Sequence, residues 1–218
     1  MPDKSTFMRM REDEREIRKT LIINAAMILF ESMPFQDIGM RDIAAEAGVS
    51  AASIYRYFPS RDDLFAEALI RDMIIVEQRF EKRMEDQSAS IEEFAVELID
   101  YLIDNEQTYQ MMCYFLTKVD METHIINRFN TVSRYFLDIL DQVLERAGAG
   151  KNIRYYSHAL FSSLAGIVMS FRNFPGHTKE EKRKHMHKLA LLLASVFRSG
   201  IQESSWSAPD EDQEASEA

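Results

Sequence analysis

Between Gly39 and Ser60 the chain reads G-M-R-D-I-A-A-E-A-G-V-S-A-A-S-I-Y-R-Y-F-P-S, a run of small, cationic and phenolic side chains within a few helical turns. On a helix over 51–58, advancing about 100° per residue, Ile54 and Phe58 share one face, and Arg56 lies roughly 180° from their midpoint. Ile54 and Phe58 must then face a core. Arg56 can offer two donors to the O6 and N7 of a guanine, while Ala52 and Ser53 beside it let the backbone approach a base edge. Tyr55 and Tyr57 flank the core face, where their hydroxyls can reach phosphates on either side. Ser50 and the free amides behind it form an anion site at the helix start. The competing reading of these eight residues is a surface helix that packs its own aromatics.

The elements that would hold this surface are legible in the breakers. Met40 opens a predicted helix over 40–47, Gly48 suits the left-handed position that ends it, and Ser50 is a good N-cap for the next. Helix, turn, helix results. A core helix is predicted over 15–33, nearly all apolar between Leu21 and Phe30 and stopped by Pro34. From Ser60 a further helix starts with Asp63 at its third position, a variant of the capping box, and carries a stripe of Leu64, Phe65, Ala68, Leu69, Met73 and Val76. Neither Gly nor Pro occurs over 60–147. Helices are predicted near 91–104, 106–118, 121–147, 151–173 and 178–199, with no β-type alternation of useful length.

The stretch resembles the helix-turn-helix of the TetR family of bacterial transcriptional regulators. Ile43-Ala44, Ala47-Gly48-Val49-Ser50 and Ile54-Tyr55-Arg56-Tyr57-Phe58 carry the resemblance, which extends from about Ile17 to Leu69 through Ala25, Phe30, Phe35, Arg61 and Leu64. There are two departures. Ile38-Gly39 stands where family members commonly have Thr or Ser, so a capping hydroxyl is missing and Gly39 caps only weakly. Ala51 replaces a frequent Lys or Arg, which leaves phosphate attraction to Arg41, Arg56, Arg61 and the N-terminal arm. The candidate DNA-binding set is therefore Arg41, Ser50, Ala51, Ala52, Ser53, Tyr55, Arg56, Tyr57 and Arg61.

The resemblance implies an all-α protein with an N-terminal three-helix DNA-binding domain and a larger helical domain for dimerisation and effector binding. The corresponding division is 1–61, 62–200 and a disordered acidic tail over 201–218. A recognition helix of two turns reads too few bases to specify a genomic site alone, so a homodimer on a near-palindromic operator is expected. The expected activity is repression, released by a small apolar or amphipathic effector.

For that effector, Tyr109, Met112 and Phe115, with Phe136 and Phe161, are the candidate residues, because Met-rich and aromatic walls suit adaptable cavities. Such a stripe is more often plain core, which is the competing reading of the same residues. Ala159, Ser162, Ser163, Gly166 and Ser170 make a small-residue side on one late helix, and Met186, Leu189, Ala190, Leu193, Val196 and Phe197 recur at helical spacing on the next. Half of an intersubunit four-helix bundle and internal core are the two readings of that pair.

His185 and His187 point to different helix faces, and His124, His158 and His177 lack neighbouring ligands at metal-binding spacing, so no metal and no cofactor are assigned. Cys113 sits among apolar residues without a nearby base and reads as an inert thiol. The seven glycines form no phosphate loop. No enzyme activity is expected.

A chain of 218 residues, 46% hydrophobic, can bury a sizeable core. No apolar run approaches the roughly 20 residues of a membrane span, and the first residues lack the basic-then-apolar order of a signal peptide, so a cytoplasmic protein is expected. The net charge of −10 is ill suited to nucleic acid, yet Glu203, Asp210, Glu211, Asp212, Glu214 and Glu217 in the tail supply six of the ten. Residues 1–61 hold nine basic and nine acidic side chains. That balance supports the alternative function, a helical adaptor that binds protein partners without DNA.

Overall fold

The computed structural model describes residues 4–33, 35–84, 90–150 and 152–203, and among these every regular element is helical. The chain is all-α. Its helices are α1 (Lys4–Ser32), α2 (Met40–Glu46), α3 (Ala51–Tyr55), α4 (Arg61–Met84), α5 (Ile91–Asp104), α6 (Glu106–Thr117), α7 (Thr123–Arg146), α8 (Ile153–Phe171) and α9 (Lys179–Gln202). Contacts divide the chain into two compact units, Met1–Ile74 with Glu106–Val132, and Ile75–Asn105 with Ser133–Ala218. The units change over within α4, between α5 and α6, and within α7, whereas the division expected from the sequence places its first boundary after residue 61.

In the first unit, α1 starts eleven residues before the predicted 15. Its added turns are rich in straight-chain helix formers, and local ion pairs such as Arg18 with Glu14 at 2.7 Å and Lys19 with Glu16 at 3.1 Å support it. Ile22, Ile23, Ala25 and Ala26 are buried, whereas the residues from Met8 to Arg18 are exposed. After α1, a short 3-10 turn (Phe35–Asp37) buries Phe35, which stacks on Phe30 at 5.0 Å and meets Phe65 of α4 at 4.7 Å. This aromatic cluster joins α1 to the start of α4.

The second unit packs α5, α8 and α9 together. Ser90 caps α5 by accepting from the Glu93 amide, and Phe94, Ala95, Leu98, Ile99 and Leu102 fill its inner face. Leu160, Leu164 and Val168 of α8 and Met186, Ala190 and Ala194 of α9 recur every four residues and are buried. The helix α9 continues through Gln202 because Ile201 is buried beyond Gly200. Residues 201–203 of the predicted tail thus belong to the end of α9, and 204–218 lies outside the described residues. Among the described residues no helix is long and apolar enough to cross a membrane.

Candidate DNA-binding surface

The turn between α2 and α3 has the geometry that its residues demand. Gly48 adopts φ +66°, a left-handed conformation that a Cβ would disfavour. Its amide donates to the Ala45 carbonyl at 3.2 Å and the Val49 amide to that of Ala44 at 2.9 Å, a Schellman pair that satisfies the end of α2. At the other end of α2 the Gly39 amide donates to the Asp42 carboxylate at 2.9 Å, so half of a capping box survives without a hydroxyl at position 39.

Ser50 caps α3. Its Oγ accepts from the Ser53 amide at 3.1 Å and lies 2.9 Å from the Ser53 hydroxyl. Regular α-helix then lasts only from Ala51 to Tyr55, shorter than the predicted 51–58, although the Phe58 amide still reaches the Ile54 carbonyl at 2.9 Å. Ile54 is fully buried and Phe58 is 2% exposed, as their spacing requires. Ala52 and Arg56 on the far side are exposed, as are Tyr55 on the flank and Ser50 at the helix start. Ala51, Ser53 and Tyr57 are half-buried, and Arg41 on α2 is exposed. The Arg56 guanidinium sits 5.5 Å from the Tyr57 ring centre. On α1, Arg18 has a pKa raised by its hydrogen bond to Glu14 and further by the Tyr57 phenol.

Arg61 was grouped by sequence with the phosphate-facing residues, and the structure gives it a different set of partners. Its guanidinium donates to the backbone carbonyls of Phe35 at 2.8 Å and Gln36 at 3.2 Å, and lies over the rings of Phe35, Phe65 and Tyr114. The next two residues are equally engaged. Asp62 accepts from the Tyr114 hydroxyl at 2.8 Å and pairs with Lys118. Asp63 accepts from the Ser60 amide and hydroxyl and from His124 at 2.7 Å, while its own amide donates to the Ser60 Oγ at 3.1 Å. Asp63 is buried, which by itself pushes its pKa up, but the hydrogen bonds from His124 and Ser60 bring it below the usual value. The Asp62 and Tyr114 bonds likewise raise the Lys118 pKa. The capping role of Ser60 and Asp63 follows from their spacing. Tyr114, Lys118 and His124 are more than fifty residues away in sequence, and nothing local marks them as partners.

The five candidate effector residues are not brought into one unit. Tyr109, Met112 and Phe115 belong to the first, where all three are buried. Phe136 and Phe161 belong to the second, in edge contact at 5.5 Å, and Phe136 also meets Phe80 and Phe94. No group of three or more metal-ligating side chains occurs among the described residues.

Residues 22–68 match the family described as bacterial regulatory proteins, tetR family. An HTH-type transcriptional regulator of Staphylococcus aureus (strain USA300) is 33% identical over 105 residues, which cover 46% of this chain and 56% of the relative. The chain thus spans about half the length of the curated relatives it matches. Among solved structures, a TetR-family regulator from Mesorhizobium loti superposes with TM-score 0.62 at 20% identity, covering 84% of this chain and 97% of the other. The regulator FadR of Bacillus subtilis, solved with stearoyl-CoA, gives TM-score 0.64 at 19% identity over 84% of this chain and 98% of its own. These likenesses show the fold.

Proposed function

We propose that this chain, which belongs to the TetR family of bacterial regulatory proteins, acts in the cytoplasm as a homodimeric repressor that binds a near-palindromic operator. The observation that carries the reading is the exposure of Ala52, Tyr55 and Arg56 along and just after α3, with Arg56 on the side away from buried Ile54 and Phe58. That is the arrangement a recognition helix needs in a major groove, with Arg56 as the bidentate reader and Ser50, Tyr55, Tyr57 and Arg41 as phosphate contacts. Dimerisation is supported by exposed apolar side chains on α8 (Tyr155, Met169) and α9 (Leu191, Leu192, Val196), beyond what isolated surface residues would need. A Cβ at Gly166 would meet no neighbouring helix within 4 Å, so Gly166→Leu is expected to impair pairing of subunits if this face is the interface.

FadR of Bacillus subtilis was solved with an acyl-CoA, and an apolar or amphipathic small molecule is the proposed effector here too. Phe136 and Phe161 in the second unit, and separately Tyr109, Met112 and Phe115 in the first, are the residues to probe. Such an effector must weaken DNA binding by the factor by which DNA weakens effector binding.

The direct test is an anisotropy titration of the purified protein against DNA from upstream of its own gene. Binding preferred over a shuffled duplex, with a footprint in two related half-sites, is the expected result. Equal binding to both duplexes overturns the operator reading and favours the adaptor. A monomer by sedimentation at micromolar concentration overturns the dimer.

A further inference from the structure

The loop between α8 and α9 and the first turns of α9 enclose a cavity of about 600 Å³, lined by Phe171, Phe174, His177, Lys182, Lys184 and Lys188 among others. We propose that this cavity is a binding site for a small organic anion with a flat aromatic body, such as an aromatic carboxylate. It lies wholly within the second unit and shares no residue with the candidate effector set.

Three observations support the assignment. The size is that of a small-molecule pocket, commonly about 300–1,000 Å³, and is too large for an inorganic ion to fill. One wall is a continuous aromatic surface. Phe171 and Phe174 lie 5.8 Å apart, His177 stacks on Phe174 at 5.5 Å and 25°, and His185 meets Phe171 edge-on at 4.7 Å. Phe174 is 46% exposed, so it offers a face to a ligand that it does not use within the chain.

The third observation is the charge. Lys184, His185 and Lys188 follow one another on one side of α9, with Lys182 beside them, in a protein whose net charge is −10. Lys184 has a loose partner, Glu180, at 3.4 Å, but Lys182 and Lys188 have no ion-pair partner among the described residues. The one carboxylate in the lining, Glu181, accepts from the Thr178 amide at 2.8 Å and the Thr178 hydroxyl at 2.9 Å, bonds that hold its pKa low and commit it to capping α9. The cavity therefore presents cations above an aromatic floor. A ring can stack on Phe174 and His177 while its anionic group meets Lys182 or Lys188. A neutral aromatic leaves the cations unanswered, and an inorganic anion leaves the floor uncovered.

The test uses the full-length protein and the fluorescent aromatic sulfonate 8-anilino-1-naphthalenesulfonate, with 1-naphthoate as competitor. Saturable binding is expected, displaced by 1-naphthoate but not by inorganic sulfate at equal concentration. Lys182→Ala with Lys188→Ala should weaken it about tenfold. The pair Lys182→Arg with Lys188→Arg should restore it, and Phe174→Ala should weaken both the sulfonate and neutral N-phenyl-1-naphthylamine. Unchanged affinity in the double alanine variant, or equal displacement by sulfate, overturns the proposal. Neither lysine belongs to the candidate DNA-binding set, so operator affinity without effector serves as the check on folding and keeps this test separate from that of the operator reading.

Discussion

Helix α3 and the first turn of α4 are separated by only five residues, yet their side chains are used in opposite ways. On and just after α3 the side chains of Ala52, Tyr55 and Arg56 are left open, while Ile54 and Phe58 are buried beneath the segment. In the first turn of α4 each charged group is held: Arg61 by two carbonyls and three rings, Asp62 by Tyr114 and Lys118, Asp63 by Ser60 and His124. Outward polar groups with few internal partners are available to another molecule, whereas groups already satisfied make a joint. Residue type alone does not separate these cases, since Arg56 and Arg61 carry the same guanidinium.

The largest effect should come from removing what holds α3 from below. Phe58→Ala is expected to cost about 3–5 kcal/mol in chemical unfolding, the usual range for an emptied aromatic core site, and to abolish operator binding at temperatures where the variant still folds elsewhere. If α3 were held mainly by its cap, Ser50→Ala would be the costlier change; it should cost only about 1 kcal/mol. On the open side the pattern reverses. Arg56→Ala should leave stability within about 0.5 kcal/mol and reduce specific affinity by about 1–3 kcal/mol, relaxing preference at one base pair per half-site. Operator selection with the variant reads this directly, and an unaltered consensus removes Arg56 from the readout.

Arg61→Ala sharpens the contrast further. As a phosphate contact, Arg61 would on removal lower the slope of log affinity against log salt by about one. As a joint, it should cost about 1–2 kcal/mol of stability through lost charge-assisted hydrogen bonds and ring contacts, with the salt slope unchanged. Unfolding and salt titration of the same variant decide between the two, and a reduced slope with full stability would place Arg61 on the DNA.

The contrast also explains what the sequence disclosed. The turn was legible because Gly48, Ser50, Ile54 and Phe58 act over distances of at most eight residues, where backbone sterics and helical period leave few options. The start of α4 was half legible for the same reason: Ser60 and Asp63 form a local cap, while His124, Tyr114 and Lys118 arrive through tertiary packing. The reach of α1 back to Lys4 was missed because its first turns have no apolar stripe and rest on helix propensity. The five candidate effector residues have a composition that suits cavity and core alike, and periodicity carries no information on which unit a helix face joins.

The smallest expected effect tests α4 against itself. Asp63 and Asp72 lie on the same helix, and their environments shift them in opposite directions. For Asp63 burial favours the neutral acid, but His124 and Ser60 outweigh it, so the folded-state pKa lies below 3.8. For Asp72 burial dominates, and one hydrogen bond from Thr108 at 2.7 Å does not offset it, so the folded-state pKa lies above 3.8. A carboxylate with a depressed pKa adds stability that is fully present above its unfolded value and lost as pH falls through its folded value. One with a raised pKa does the reverse: its ionisation opposes folding, and the cost fades as pH falls through the folded value toward the unfolded one. Asp63→Asn should therefore destabilise at pH 7, and the loss should not shrink on acidification to about pH 4.5, where Asp63 with its lowered pKa is still ionised. Asp72→Asn keeps an oxygen to accept from Thr108, and should stabilise at pH 7 by an amount that falls over the same interval. Denaturant midpoints for both variants and the parent, measured at each pH, give the two differences. Differences of the same sign at pH 7, or an Asp72→Asn gain that grows on acidification, would show that burial and hydrogen bonding are not divided between the two carboxylates in this way.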